Sequence, residues 1–335
     1  CGNSHHNVTI PQPHCATGGL GITIEVMTEF TIQVRDLKKS YGNFEAVRGV
    51  SFNVEKGEIF ALLGPNGAGK TTIVEILEGH TKKSSGFISV LGYDPDASSG
   101  KFRSKIGIVL QEIGVEPYLK VEEVIRQFSG FYDNPPPLEE ILAVTGLEGI
   151  RDTRARKLSG GQKRRLDVAV GLAGDPELLF LDEPTTGFDP AARREAWKMI
   201  SNLKKLGKTV LLTTHYMDEA EILADRLALI KSGLIEAEGT LDQLRQHSKK
   251  TTIKFKLDNV ISTLPESILR ISTRIQNELE ILTENPTEVL KTLTSWANTQ
   301  GIELENLSVR KQSLEDIFLE LTTESARDKK KLTYD

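Results

Sequence analysis

The sequence predicts an α/β protein with a parallel sheet, followed by a smaller α+β unit. Three observations lead there. Strand-like apolar runs alternate with helical periodicity from Phe30 to about His247, the pattern of an α/β domain. The glycine-rich stretch GPNGAGKTT follows the apolar run IFALL and opens a helical pattern, so a tight turn leads from a buried strand into a helix. The 335 residues also exceed the ~250–300 at which a single hydrophobic core stops growing, so roughly two units are expected.

Composition narrows the function classes. With 42 Lys+Arg against 47 Asp+Glu, the formal charge is −5, which argues against nucleic acid as a partner and against a surface built for anionic lipid. A chain that is 38% hydrophobic and 27% charged is an ordinary globular one rather than disordered or disulfide-stapled. Cys1 and Cys15 are the two cysteines; no disulfide staples the body, and a reducing compartment fits. No run approaches the ~18 apolar residues that a membrane helix needs, so any membrane role is expected to pass through a partner.

Taken in order, residues 1–29 mix Gly, Pro, Thr and His5, His6 and His14 without periodicity and read as a disordered extension, with Met27 the expected start. TIQVRDL, VRGVSFNV and EIFALLG read as strands, and a helix is expected from Gly69 to about Glu78. After Gln111 the pattern turns helical: VEEVIRQFSGFY, a break at Pro135 to Pro137, then LEEILAVTG, because consecutive prolines cannot continue a helix. A helix from about Gly160 to Ala173 follows, then the strand ELLFLDE, a helix from Pro190 to Leu206, the strand TVLLTTH, the helix MDEAEILAD, and the closing strands RLALIK and LIEAEG. The doublet Lys249-Lys250 opens a strand-rich unit over 251–324: TIKFKL, ILRISTRI, ELEILT, the helix EVLKTLTSWANTQ, the strand ELENLSVR and the helix SLEDIFLELT. Residues 325–335 read as a solvated tail.

Three motifs carry chemistry. Gly64, Pro65, Asn66, Gly67, Ala68, Gly69, Lys70, Thr71 and Thr72 fit a phosphate-binding loop. Its backbone N–H groups cradle phosphate oxygens, Lys70 reaches the β/γ-phosphates, and the Thr71 hydroxyl ligates Mg²⁺. The run LLFLDEP ends an apolar strand on two acids, where Asp182 is placed to hold Mg²⁺ and Glu183 to orient the attacking water. LSGGQ, Leu158 to Gln162, puts Ser159 at a helix N-cap and bares the N–H groups of Gly160 and Gly161, an anion site.

A phosphate loop, LSGGQ and LLFLDEP, in that order, resemble the nucleotide-binding subunit of an ATP-binding cassette (ABC) transporter. LSGGQ is the most specific of the three, because ordinary phosphate-loop ATPases lack it. The resemblance implies a P-loop NTPase cassette over 30–247: a mixed core sheet with flanking helices, an antiparallel β subdomain and a helical subdomain at about 111–175. It also implies ATP and Mg²⁺ as cofactors. Tyr41 in KSYGN resembles the aromatic that stacks on adenine. Gln111 in IVLQE resembles the glutamine that senses Mg²⁺ and couples to the membrane subunit. Asp189 in TTGFDP resembles the aspartate that communicates between two cassettes, and His215 in LLTTHYMDEAE the switch histidine at the γ-phosphate. Phe188 departs from the leucine usual there, a packing change beside the dimer interface. The ending SLEDIFLELT resembles the C-terminal extension of exporter ATPases of the antibiotic-resistance group.

The chain carries one phosphate loop and one LSGGQ. The resemblance therefore implies a homodimer in which Ser159, Gly160 and Gly161 act on the partner's nucleotide. It further implies a separate polytopic permease met on the cytoplasmic face of the membrane, with Tyr118 and Leu119 in the docking groove. An exporter is expected. The alternative is a soluble ABC-type ATPase acting on a partner such as the ribosome, though such proteins usually carry two cassettes in one chain. A non-hydrolysing cassette would be expected to lose Glu183 or His215, and a small-molecule kinase gives no reason for LSGGQ.

Overall fold

The described residues open with two long strands, β1 (Phe30–Tyr41) and β2 (Phe44–Glu55), then β3 (Ile59–Leu63) and helix α1 (Lys70–Leu77). These belong to a computed structural model that describes residues 30–97, 99–109, 114–248, 250–256, 264–275 and 277–318. The N-terminal extension with its cysteines and histidines, Gln111, and the tail at 325–335 lie outside the described residues.

After α1 come β4 (Ser85–Val90), the short helix α2 (Gly100–Arg103) and β5 (Ile106–Val109). Helices α3 (Val121–Ser129), α4 (Leu138–Thr145) and α5 (Gly160–Gly171) follow. The chain then alternates through β6 (Leu178–Asp182), α6 (Pro190–Lys205), β7 (Thr209–Thr214), α7 (Met217–Leu223), β8 (Arg226–Lys231), β9 (Leu234–Gly239) and α8 (Leu241–Ser248).

Every residue of β3 is apolar and buried, so the strand needs cover on both faces. It sits inside a six-stranded sheet of order β5-β6-β7-β3-β8-β9, parallel except for the edge pair β8 and β9. Successive side chains point to opposite faces, and the two cores divide accordingly. Phe60 and Leu62 join the cluster formed with α1 and the three-stranded antiparallel sheet β2-β1-β4. Ile59, Ala61 and Leu63 join the opposite cluster, with Val168 of α5, Met199 and Ile200 of α6, and Ala220 and Leu223 of α7. A third cluster unites Val124 and Ile125 of α3, Ile141 and Leu142 of α4, and Leu166 and Ala169 of α5.

The remaining elements are β10 (Thr251–Lys256), α9 (Glu266–Leu269), β11 (Ser272–Ile275), β12 (Glu278–Thr283), α10 (Pro286–Gln300) and β13 (Glu305–Lys311). They form an antiparallel sheet of order β11-β12-β10-β13 with its own core, in which Ile253, Phe255 and Ile281 meet Leu293 and Trp296 of α10. A last helical segment, at 314–318, returns to the first body. Its Leu314 is fully buried in the cluster that holds Leu63 and Leu229.

Several elements differ from the sequence reading. Strands β4 and β5 went unread, since both are short and β4 is exposed along its first half. The run ILRISTRI is not one strand: Ile268 and Leu269 end α9, which starts after Pro265, and the strand begins at Ser272. The helix read through Tyr132 stops at Ser129, with Gly130 as its C-cap. Among the described residues no helix is long and apolar enough to cross a membrane.

Candidate active site

The parallel strands deliver their C-terminal ends to one edge of the sheet, and the predicted chemistry gathers there. Directly after β3, Gly64 has no space for a side chain, since an added Cβ would lie 2.2 Å from the carbonyl oxygen of Ile230. The loop is thereby pressed against the end of β8. At the other end of the loop, Gly69 caps α1 with a φ of 103°, a left-handed conformation that glycine adopts without steric cost. Lys70 begins α1 and is buried. Its ammonium donates to the carbonyl oxygens of Gly64 at 2.8 Å and Pro65 at 3.2 Å, and lies 3.7 Å from Oε1 of Glu183. Burial lowers the pKa of Lys70, and the charges of Glu183 and Asp182 work against that shift.

The cleft in front of this lysine, about 380 Å³, is lined by Asn66, Gly67, Gly69, Thr71, Thr72 and Glu183 and closed on one side by Phe44 and Ala46. Tyr41 does not line it. That ring is 48% exposed at the end of β1, with the Lys39 ammonium 4.7 Å from its centre. The aromatic at the cleft wall is Phe44, its partner across the hairpin.

The acid pair sits where β6 ends. Thr213 of β7 donates its hydroxyl to Oδ1 of Asp182, and the amide of Glu183 donates both to that hydroxyl, at 3.1 Å, and to the Thr213 carbonyl, at 3.2 Å. Glu183 itself adopts a φ of 45°, a left-handed conformation costing an ordinary residue on the order of 1–3 kcal/mol. This turn aims its carboxylate at the neighbouring strand. Nδ1 of His215, just past β7, is 3.2 Å from Oε1 of Glu183, and the Thr186 hydroxyl donates to Oε2 at 3.1 Å. Oε1 of Glu183 thus lies between Lys70 and His215. The His215 ring lies 4.1 Å from that of Tyr216, which in turn carries the Arg193 guanidinium 4.2 Å from its centre.

The LSGGQ segment forms a different surface. Ser159 caps α5 reciprocally with Gln162: the Gln162 amide donates to the Ser159 hydroxyl at 3.3 Å, and the Ser159 amide to Oε1 of Gln162 at 2.9 Å. With Gly160, Gly161, Gly187, Phe188 and Asp189 these residues line a cavity of about 460 Å³ that shares no wall with the Lys70 cleft. Asp189 caps α6, accepting from the amides of Ala191 and Ala192 at 2.9 Å. One chain therefore gathers Lys70, Asp182, Glu183 and His215, while Ser159 lines a separate cavity; its neighbour Gly160 also borders a third cavity, of about 520 Å³, with Glu183, Pro184 and Thr186.

Several residues of the site escaped the sequence reading. Arg164 is buried on α5, and its guanidinium donates to the carbonyl oxygens of Pro184 at 3.2 Å and Asp182 at 3.0 Å. It holds the backbone of the acid pair, and nothing in the basic run Lys163 to Arg165 signals that in the sequence. Thr213 had a signal, a second threonine before His215 at a strand end. The residues that could hold a divalent ion offer oxygens, the Thr71 hydroxyl and the Asp182 carboxylate, and among the described residues no three His, Cys, Asp or Glu side chains gather into a metal site. Such a set fits Mg²⁺, which takes one or two protein oxygens and shares the rest with phosphates and water.

Known proteins resemble this chain in sequence and in fold. The family profile described as ABC transporter matches residues 47–186, and a profile for the C-terminal domain of DrrA1-3-like ATP-binding proteins matches residues 239–322. The chain is 35% identical to the Nod factor export ATP-binding protein I of Ralstonia nicotianae, over 89% of this chain and 95% of that one. It is 34% identical to the linearmycin resistance ATP-binding protein LnrL of Bacillus subtilis, over 89% and 100%. With the daunorubicin resistance ATP-binding protein DrrA3 of Streptomyces coeruleorubidus, identity is 33% over 90% and 99%. Among solved structures, an ATP-binding subunit of an ABC transporter superposes with a TM-score of 0.58 at 28% identity, covering 65% of this chain and 92% of that one. The dimeric cassette MJ0796 bound to ADP and Pi gives 0.56 at 27%, covering 63% and 98%.

Proposed function

The chain belongs to the ATP-binding cassette transporter family as an ATP-hydrolysing subunit of the drug-resistance and export type, and from that membership we propose how its residues share the work. Two copies bind two ATP molecules, each held by the phosphate loop of one chain and by Ser159, Gly160 and Gly161 of the other. The observation that carries this reading is that Ser159 and Gly161 line no wall of the Lys70 cleft within a single chain.

Within each site Lys70 and the loop amides hold the β- and γ-phosphates, and Tyr41 and Phe44 flank the base. Thr71, Asp182 and Gln111 are the residues for Mg²⁺; when bound, it neutralises charge on the transferring phosphoryl group. Glu183 accepts a proton from, or polarises, the attacking water. His215 fixes the Glu183 carboxylate through the contact at 3.2 Å and reaches the γ-phosphate, while Asp189 reports to the opposite site. Closure excludes water and completes the site only with nucleotide present, which makes ATP binding the mechanical stroke and hydrolysis the reset.

The stroke is delivered to a separate polytopic permease on the cytoplasmic face of the membrane, with export as its direction. Tyr118, 63% exposed and capped by Arg156 5.0 Å from its ring, forms part of the docking surface beside Leu119. The test is to recover tagged Glu183→Gln protein, with ATP, from detergent-solubilised membranes of the native host. Co-purification of a polytopic membrane protein is the expected result. Recovery of ribosomes instead would make the protein a soluble ATPase.

A further inference from the structure

The turn that carries Glu183 is held from two sides. Arg164 on α5 grips it from one, through the carbonyl oxygens of Asp182 and Pro184. From the other comes Glu219, in the first turn of α7 and fully buried, a side chain that plays no part in the hydrolysis scheme above. Its Oε1 accepts from the Thr185 hydroxyl at 2.8 Å and from the Trp197 indole at 3.1 Å. Its Oε2 is buried with no hydrogen-bond partner among the described residues.

A carboxylate in this position is a poor choice for stability alone. Taking it out of water with one oxygen unmatched is costly, and although the Arg164 guanidinium interacts favourably with its charge, a neutral acceptor would satisfy the hydrogen bonds of Thr185 and Trp197 equally well. What the carboxylate joins is informative. Thr185 is fully buried two residues after Glu183, in the turn where Thr186 donates to the Glu183 carboxylate. Trp197 lies on α6, the helix that Asp189 caps, and α7 itself follows His215 directly. One oxygen atom thus ties together the segment bearing the acid, the segment bearing the histidine and the helix behind Asp189.

We propose that Glu219 is a positioning residue for ATP hydrolysis. By clamping Thr185 and Trp197 from α7, it keeps the left-handed backbone at Glu183 in register with His215, so that the carboxylate meets the water at the right distance and angle. Hydrolysis is sensitive to this because a misplacement of about 1 Å costs roughly a hundredfold in rate. ATP binding is not, since the phosphate loop is built from β3 and α1 and makes no contact with Glu219 in the bonds described above. This inference rests on the role proposed for Glu183.

The test is steady-state ATPase kinetics of the full-length protein for Glu219→Ala, Glu219→Gln, Thr185→Val and Glu183→Gln, below the unfolding transition of each. Glu219→Ala is expected to lower kcat at least tenfold while KM for ATP stays within twofold. Glu219→Gln, which keeps an acceptor for Thr185 and Trp197, should recover at least half of the wild-type kcat. Thr185→Val, which keeps shape and removes one donor, should lower kcat several-fold, and adding Glu219→Ala to it should cost less than the product of the two. If Glu219→Ala does not fold, Thr185→Val decides. An unchanged kcat in Thr185→Val and Glu219→Ala, or a loss carried by KM, overturns the proposal, as does a Glu219→Gln protein no better than Glu219→Ala. Glu183→Gln separates the two readings. If it still hydrolyses ATP, the role of Glu183 fails; if it is dead while the clamp variants are normal, only the clamp fails.

Discussion

Glu78 ends α1 with its carboxylate almost fully buried, and it is the residue at which pH should act on stability. Burial first, then the charges of Asp182 and Glu75, raises its pKa from 4.5 to about 8, and the His80 ring nitrogen lies 3.2 Å from its Oε2. Between those two values the folded chain holds a proton that the unfolded chain has released. Stability therefore falls as pH rises from about 4.5 to about 8, because the slope follows protons bound in the unfolded state minus those in the native one. Glu78→Gln should flatten urea unfolding midpoints between pH 5 and 8 and make the protein more stable than wild type at pH 8. At the acid pair, Glu183→Gln should lower hydrolysis by about 10²–10⁴-fold while a fluorescent ATP analogue still binds, and His215→Ala should act in the same direction. The glycine loop, the two acids and the histidine were legible because each closes or follows an apolar strand. Arg164 and Glu219 were not, because only the pairing of β6 with β7 and the packing of α5 to α7 give them their neighbours, and Phe44 was not, because only the β1–β2 hairpin sets it beside the phosphate loop.

Elements were legible in proportion to how far their burial imposed a pattern. IFALL, LLFLD and TVLLTT, buried almost throughout, announce central strands, whereas SGFISV buries two residues and reads as a loop. The prolines before α4 and α9 mark helix starts, yet the four-residue α9 hides among β-branched neighbours. The start of α5 is the element whose local chemistry and function coincide. Ser159→Ala removes the side-chain half of the reciprocal cap, which should cost about 1 kcal/mol and read out as a small drop in unfolding midpoint. In the proposed dimer it also removes a contact to the partner's nucleotide, so ATPase activity should fall by far more than that drop explains. Equal activity in Ser159→Ala and wild type would detach this helix start from the nucleotide.

At the scale of the whole molecule, the two bodies are less separable than the sequence suggests. The sheet β11-β12-β10-β13 has its own core, as the change of pattern after Lys250 predicts. The segment after β13, however, does not stay with it. Ser313 caps the helical segment at 314–318 with Asp316, accepting from the Asp316 amide at 3.2 Å and donating to Oδ2 at 2.8 Å, and the Leu314 amide donates to Oε1 of Glu221 on α7 at 3.0 Å. Leu314 then fills the cluster beside Leu223, Leu229 and Leu244. The C-terminal body is thus bracketed by two attachments to the ATPase core, α8 before it and this segment after it, and its removal should uncover apolar surface on the core. Leu314→Ala should cost about 2–5 kcal/mol through the cavity it leaves, or roughly 5–15 °C in a body of this size. Ending the chain at Gln312 should lower the unfolding temperature of the ATPase core at least as much, followed by calorimetry with and without ATP. If the transition that ATP raises stays where it was in both variants, Leu314 contributes nothing to the core, and the C-terminal body is an independent attachment.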